Sequence, residues 1–250
     1  MAENFPIPIP PRLPVCIDPC PIVESIFETR FTSAVPWATM PGMLFAQIRD
    51  RYPNQKSLPL SQMPDEWRKQ DPTLAHLPLL QFLNNKFLVQ VGPRLVSLAT
   101  QPNAYPGWKA ISTELAWLLE RLKKAEIVSE TERIGVRYID FFPEDIFPRL
   151  LLAMRINEQP MAGAECDVST VLHRGSMVIR LRVTNAAIVS LLGVPKKGSI
   201  LDVDAWFGAL NASVFEDGCE RFDEAHRAIK ELFFGLLRPE FLAMLNPVYE

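Results

Sequence analysis

Residues 176–183 read Ser-Met-Val-Ile-Arg-Leu-Arg-Val. Met177, Ile179, Leu181 and Val183 alternate with Val178, Arg180 and Arg182, so one face is apolar and the other carries two guanidinium groups. A period of two is the spacing of a β-strand with one face packed and one solvated, the habit of antiparallel sheets. Residues 166–172 form a second extended run just upstream. His173-Arg174-Gly175 between them predicts the turn of a β-hairpin.

Outward from this hairpin the pattern switches period. Residues 200–204 predict another strand. Residues 222–237 predict a helix, with Phe222, Ala225, Ile229, Leu232, Phe233 and Leu236 on one stripe. Pro239 opens a last short helix, a position where its missing N–H costs nothing. The first half has the same grammar. Residues 22–31 predict a strand with Phe27, Thr29 and Phe31 on one face and Ile26, Glu28 and Arg30 on the other. A helix is expected within 40–50, and residues 87–91 and 95–100 predict a strand pair about Gly92-Pro93-Arg94. Residues 108–125 predict a long helix on the stripe Trp108, Ile111, Leu115, Leu118, Leu119 and Leu122, and residues 133–142 a further strand. The expected class is α+β, with two related lobes of antiparallel strands, each covered by a long amphipathic helix. The lobes would span 22–150 and 151–250, parting within 143–160.

Two segments stand outside this grammar. Pro6, Pro8, Pro10, Pro11, Pro14, Pro19 and Pro21 make residues 1–21 an extended, polyproline-like arm. Ile7, Ile9, Leu13, Val15 and Ile17 between the prolines are too apolar for a free linker, so the arm is expected to lie against the body. Residues 52–78 are punctuated by five prolines and predict an irregular connection with one helical turn after Pro64. Connections of that length often carry function.

The chain has 250 residues, a formal net charge of −3 and no run near the roughly 20 apolar residues that span a bilayer. A soluble, cytoplasmic protein is expected, without a secretory leader. The acidic balance gives no electrostatic reason to expect nucleic-acid binding. The four cysteines, Cys16, Cys20, Cys166 and Cys219, are too few for a disulfide scaffold and read as reduced thiols.

Chemical signatures are sparse. No Gly-rich phosphate loop, dinucleotide fingerprint or Gly-x-Ser-x-Gly elbow occurs. His76, His173 and His226 form no pair at helical ligand spacing. Cys16 and Cys20 have the spacing of half a zinc site without the other half. No cofactor is expected. Asp202 and Asp204 share a strand face and, with Glu28 or Asp140 of neighbouring strands, would make a divalent-metal site for a nuclease or phosphodiesterase. Pairing with arginines of the same sheet is the plainer reading. Binding of a protein partner is the leading expectation. Trp67, Tyr105 and Arg94, all in loops or turns, are the expected contacts, and a homo-oligomer is open.

The stretch Pro21-Ile22-Val23-Glu24-Ser25-Ile26-Phe27-Glu28-Thr29-Arg30-Phe31 resembles the opening motif of a sporadically distributed, conserved hypothetical prokaryotic family of about this length. Gly92-Pro93-Arg94, Tyr105-Pro106-Gly107-Trp108, Glu132-Arg133-Ile134-Gly135-Val136-Arg137-Tyr138-Ile139, Asp202-Val203-Asp204 and the helix from His226 to Phe233 follow in the family's order. The resemblance implies no settled activity and transfers no catalytic residue. The family's patchy spread is similar to that of genes in antiviral defence loci, including CRISPR-type accessories. It therefore implies an accessory subunit.

Overall fold

The structure, a computed structural model, describes residues 10–160, 163–191, 193–208 and 213–249. It is an α+β protein with a large antiparallel sheet and five helices. In chain order the elements are β1 (Ile22–Thr32), α1 (Met40–Ile48), β2 (Asn54–Ser57), α2 (Asp65–Gln70), β3 (Leu80–Leu83), β4 (Phe87–Gly92), β5 (Leu95–Thr100) and α3 (Trp108–Ala125). Then come β6 (Glu130–Phe142), β7 (Arg155–Ile156), β8 (Gln159–Pro160), β9 (Asp167–Arg174), β10 (Met177–Leu191), β11 (Val194–Gly208), α4 (Val214–Leu236) and α5 (Pro239–Met244). Nine strands form one sheet in the order β2-β3-β4-β5-β1-β6-β11-β10-β9, and β7 and β8 pair separately.

The chain divides into two compact units, each discontinuous in sequence. One holds residues 24–136 and 206–224, the other 1–23, 137–205 and 225–250. The elements β1, β6, β11 and α4 each contribute residues to both.

In the unit of residues 24–136 and 206–224, β1 pairs with β5 (Glu28 opposite Ser97), β5 with β4, β4 with β3 and β3 with β2, all antiparallel. The alternation foreseen in β1 holds, since Ser25, Phe27, Thr29 and Phe31 are buried and the residues between them only half so. The 52–78 segment is less irregular than its prolines suggest. It contains β2, the helix α2 after Pro64 and two short 3-10 turns. Strands β2 and β3 escape a period-two reading because Asn-Gln-Lys-Ser has no apolar face and Leu80–Leu83 is only four residues long. At the β4–β5 turn, a Cβ on Gly92 would collide with the Leu77 carbonyl, so only glycine lets the two backbones approach.

In the other unit, β9 and β10 form the hairpin whose alternation is quoted above, paired from Asp167↔Thr184 to Arg174↔Met177. Its turn is Gly175-Ser176, with Gly175 at φ +57°, one step later than the His-Arg-Gly reading. Strands β10 and β11 are much longer than expected, because residues 184–190 and 194–199 extend the ladder without alternating apolar and polar side chains. The arm residues 1–9 lie outside the described residues. The described remainder is tied to the C-terminal segment. Val15 N–H donates to the Val248 carbonyl at 2.7 Å, Asp18 N–H to Leu245 at 2.8 Å, and Val248 N–H to Cys16 at 3.0 Å.

Candidate functional site

Each unit carries a cluster of charged side chains on the half-buried face of its strands. In the unit of residues 24–136 and 206–224 the cluster grows from β1. Residues 28 and 30 share a face by strand geometry, and Arg30 Nε donates to Glu28 Oε1 at 2.5 Å. Arg133 of β6 reaches the same carboxylate at 3.4 Å and lays its guanidinium over the Trp206 ring at 4.7 Å. Arg94 pairs with Glu132. His76 sits among these groups. Burial lowers its pKa first, and the nearby charges of Arg30 and Arg94 push in the same direction.

In the other unit the charges alternate across four strands, β6, β11, β10 and β9. Asp202 of β11 is held at both oxygens by Arg137 of β6, at 2.8 and 2.6 Å. Asp167 of β9 is held likewise by Arg182 of β10, at 2.9 and 2.5 Å. These fork-to-fork pairs are the strong geometry for such contacts, and the bond from Arg182 lowers the Asp167 pKa. The four residues line a groove of about 520 Å³ that also takes in Ile188 and Ile200. Asp140 of β6, only 3% exposed, belongs to the same unit. Burial, and then the charge of Asp202, raise its pKa to about 8, so it is a neutral acid at pH 7. His226 is half-buried on α4. Its Nδ1 lies 2.9 Å from the Tyr138 hydroxyl.

The expected site residues are therefore scattered. Glu28 and Arg94 meet around His76. Asp202 and Asp204 lie in the other unit, two residues apart on β11. Trp67 is 63% exposed on α2, and Tyr105 is half-buried in the loop before α3. Among the described residues no group of three or more His, Cys, Asp or Glu is placed to hold a metal ion. The same holds for membrane crossing: no described helix is long and apolar enough.

Sequence reading missed one polar centre. Tyr52 is fully buried and donates to Glu114 Oε1 at 2.9 Å, while Arg51 donates to Oε2 at 2.8 Å and stacks over Trp117 at 4.2 Å. Burial first, and then the Glu114 charge, raise the Tyr52 pKa well above the normal phenol range. A signal existed. Glu114 falls three residues after Ile111 and four before Leu118, inside the apolar stripe of α3. No protein-family model matches the chain, and no curated protein sequence matches it.

Proposed function

We propose that this chain works by binding a protein partner, as a non-enzymatic regulatory or accessory subunit. The observation that carries the reading is the exposure of Trp67, at 63%, in a connection where Met63 and Leu77 also leave large apolar side chains in water. Single exposed apolar residues are ordinary. Tryptophan, however, is the side chain most enriched where binding energy concentrates, and long proline-punctuated connections tend to carry function. Arg94 and Tyr105 complete the proposed contact set. The arginine pairing of Glu28 and Asp202 supports a positioning role for those carboxylates over a chemical one.

Several features belong to the same proposal. The chain is two related α+β lobes, each covered by one long amphipathic helix, acting in a prokaryotic cytoplasm. The resemblance noted above makes it an accessory of an antiviral defence locus of the CRISPR type. The test is affinity purification of the tagged chain from its own cells, beside Trp67→Ala and Arg94→Ala. A stoichiometric protein partner is expected. Its affinity should fall about tenfold or more with Trp67→Ala, while the unfolding midpoint stays in place. A chain recovered alone, or a partner indifferent to both substitutions, overturns the reading.

A further inference from the structure

We propose that β9 is a self-recognition edge, at which a second copy of this chain adds its own β9 antiparallel about a two-fold axis through Thr170. Strand β9 closes its end of the sheet, and among the described residues no strand pairs with its outer side. Which backbone groups point outward follows from the hairpin. Cys166 presents both its groups to the neighbouring strand, its carbonyl accepting from Asn185 N–H at 3.2 Å and its N–H donating to the Asn185 side chain at 2.8 Å. Backbone direction alternates along a strand, so the even residues from 168 to 174 do the same. The closing pair Arg174↔Met177 agrees. Asp167, Ser169, Val171 and His173 therefore aim N–H and C=O at the open edge.

That edge is thinly protected by the usual devices, its charged residues Asp167 and Arg174 standing only at its two ends. It is eight residues long and contains neither proline nor lysine. The other terminal strand, β2, shows those devices. It is four residues long, carries Lys56, and is bracketed by Pro53 and Pro59. Val171 of β9 is meanwhile a large apolar side chain left 47% exposed.

Symmetry then selects the occupant. Opposed residues of an antiparallel pair show their side chains on the same face, so a two-fold axis normal to the sheet pairs only residues of like parity. Centring on Thr170 sets Asp167 against the second copy's His173, Val168 against Leu172, and Ser169 against Val171. Acid meets imidazole and Val168 meets Leu172, while the small Ser169 faces Val171 without a charge buried against it. Asp167 retains accepting capacity beside Arg182, because a carboxylate takes about four hydrogen bonds. Centring on Ser169 would face Asp167 with Val171. Centring on Val171 would face Val168 with Arg174. Neither alternative is self-complementary. An eight-residue edge buries little area, so the dimer belongs to the weak, transient class, with a Kd on the order of micromolar.

This inference does not rest on the Trp67 surface and survives its failure. It is tested on the full chain by light scattering and sedimentation across a concentration series up to about 100 µM. Wild-type protein should double its mass, and Trp67→Ala should do the same. Val171→Pro removes an outward N–H without touching the β9–β10 ladder, and Val171→Lys places a charge on the edge. Each should weaken the dimer about tenfold or more. The far-UV circular dichroism of Val171→Lys should be unchanged, which keeps the test valid if the proline variant misfolds. His173→Glu, setting like charges opposite Asp167, should weaken it too. Thr170 faces its own copy in a non-hydrogen-bonded pair, where side chains come closest. Thr170→Cys should accordingly form an intermolecular disulfide under mild oxidation far faster than Ser169→Cys or Val171→Cys. A monomer at every concentration, a dimer indifferent to both Val171 variants, or cross-linking fastest away from residue 170 overturns the proposal.

Discussion

Glu114 and Asp140 are both carboxyl side chains buried in the fold, and they are accommodated in opposite ways. Glu114 on α3 is met by two donors, the Tyr52 hydroxyl and the Arg51 guanidinium, and the latter is itself stacked on Trp117. Asp140 on β6 is dominated by burial, reinforced by the nearby Asp202 charge, which together raise its pKa to about 8. The lesson concerns what burial demands of an acid. One with convergent donors serves as an electrostatic anchor, whereas one facing a like charge keeps its proton and behaves as a polar but neutral group.

The contrast breaks first at Asp140. Its pKa is higher in the folded state than the ordinary 3.8. Between those values the folded state therefore binds more protons than the unfolded one, and stability falls as pH rises. The loss accumulates from about pH 4 to about pH 8 and then levels, with a slope of at most ~1.4 kcal/mol per pH unit. Asp140→Asn mimics the neutral acid without its titration. Its stability advantage over wild type should grow steadily across that window, to several kcal/mol at its alkaline end. Urea unfolding of both proteins at pH 5, 6, 7 and 8 measures the difference directly. A gap that stays flat with pH would show that burial does not govern this carboxyl.

At Glu114 the opposite substitution logic applies. Glu114→Ala removes the acceptor of the buried Tyr52 hydroxyl proton and the partner of Arg51, at an expected cost of about 3 kcal/mol. Tyr52→Phe removes one donor and leaves the Arg51 bond, so about 1 kcal/mol is expected. Equal losses from the two would mean that packing of α3 against α1, rather than the polar network, sets the cost.

How much of this was legible beforehand depended on whether a residue obeyed its element's period. β1, α3 and the β9–β10 hairpin announce themselves, because apolar residues recur at the spacing that the core imposes. The first turns of α4 are hidden. Residues 214–221 are rich in acids and contain Gly218, so the helix was expected to begin only at Phe222. Strand β2 has no buried side to leave a pattern. For the charged clusters, the residue types and strand faces were readable, and the plain expectation of arginine pairing was the right kind of contact. The partners were not readable: Asp202 takes Arg137 from β6, whereas Arg182 goes to Asp167. Cross-strand partners depend on register, which a short turn fixes within a hairpin but which no turn fixes between strands far apart in sequence, such as β6 and β11. Glu114 was visible only as an exception in an apolar stripe.

The two bidentate pairs of the β9–β11 region extend the contrast between buried and exposed charge to its weakest limit. Both have the same fork geometry, but the Asp202 side chain is 13% exposed and the Asp167 side chain 51%. Geometry alone would make them equal. Solvent should separate them, because water competes for an exposed carboxylate and salt screens it. Arg137→Ala leaves Asp202 with a half-buried charge beside Asp140, so about 1–2 kcal/mol should be lost. Arg182→Ala should cost a few tenths of a kcal/mol, about the size of an exposed pair, and that loss should shrink further in about 0.5 M salt. Thermal unfolding of both variants at low and high ionic strength decides between the two views. If Arg182→Ala proves as costly as Arg137→Ala and insensitive to salt, fork geometry rather than depth controls these bonds.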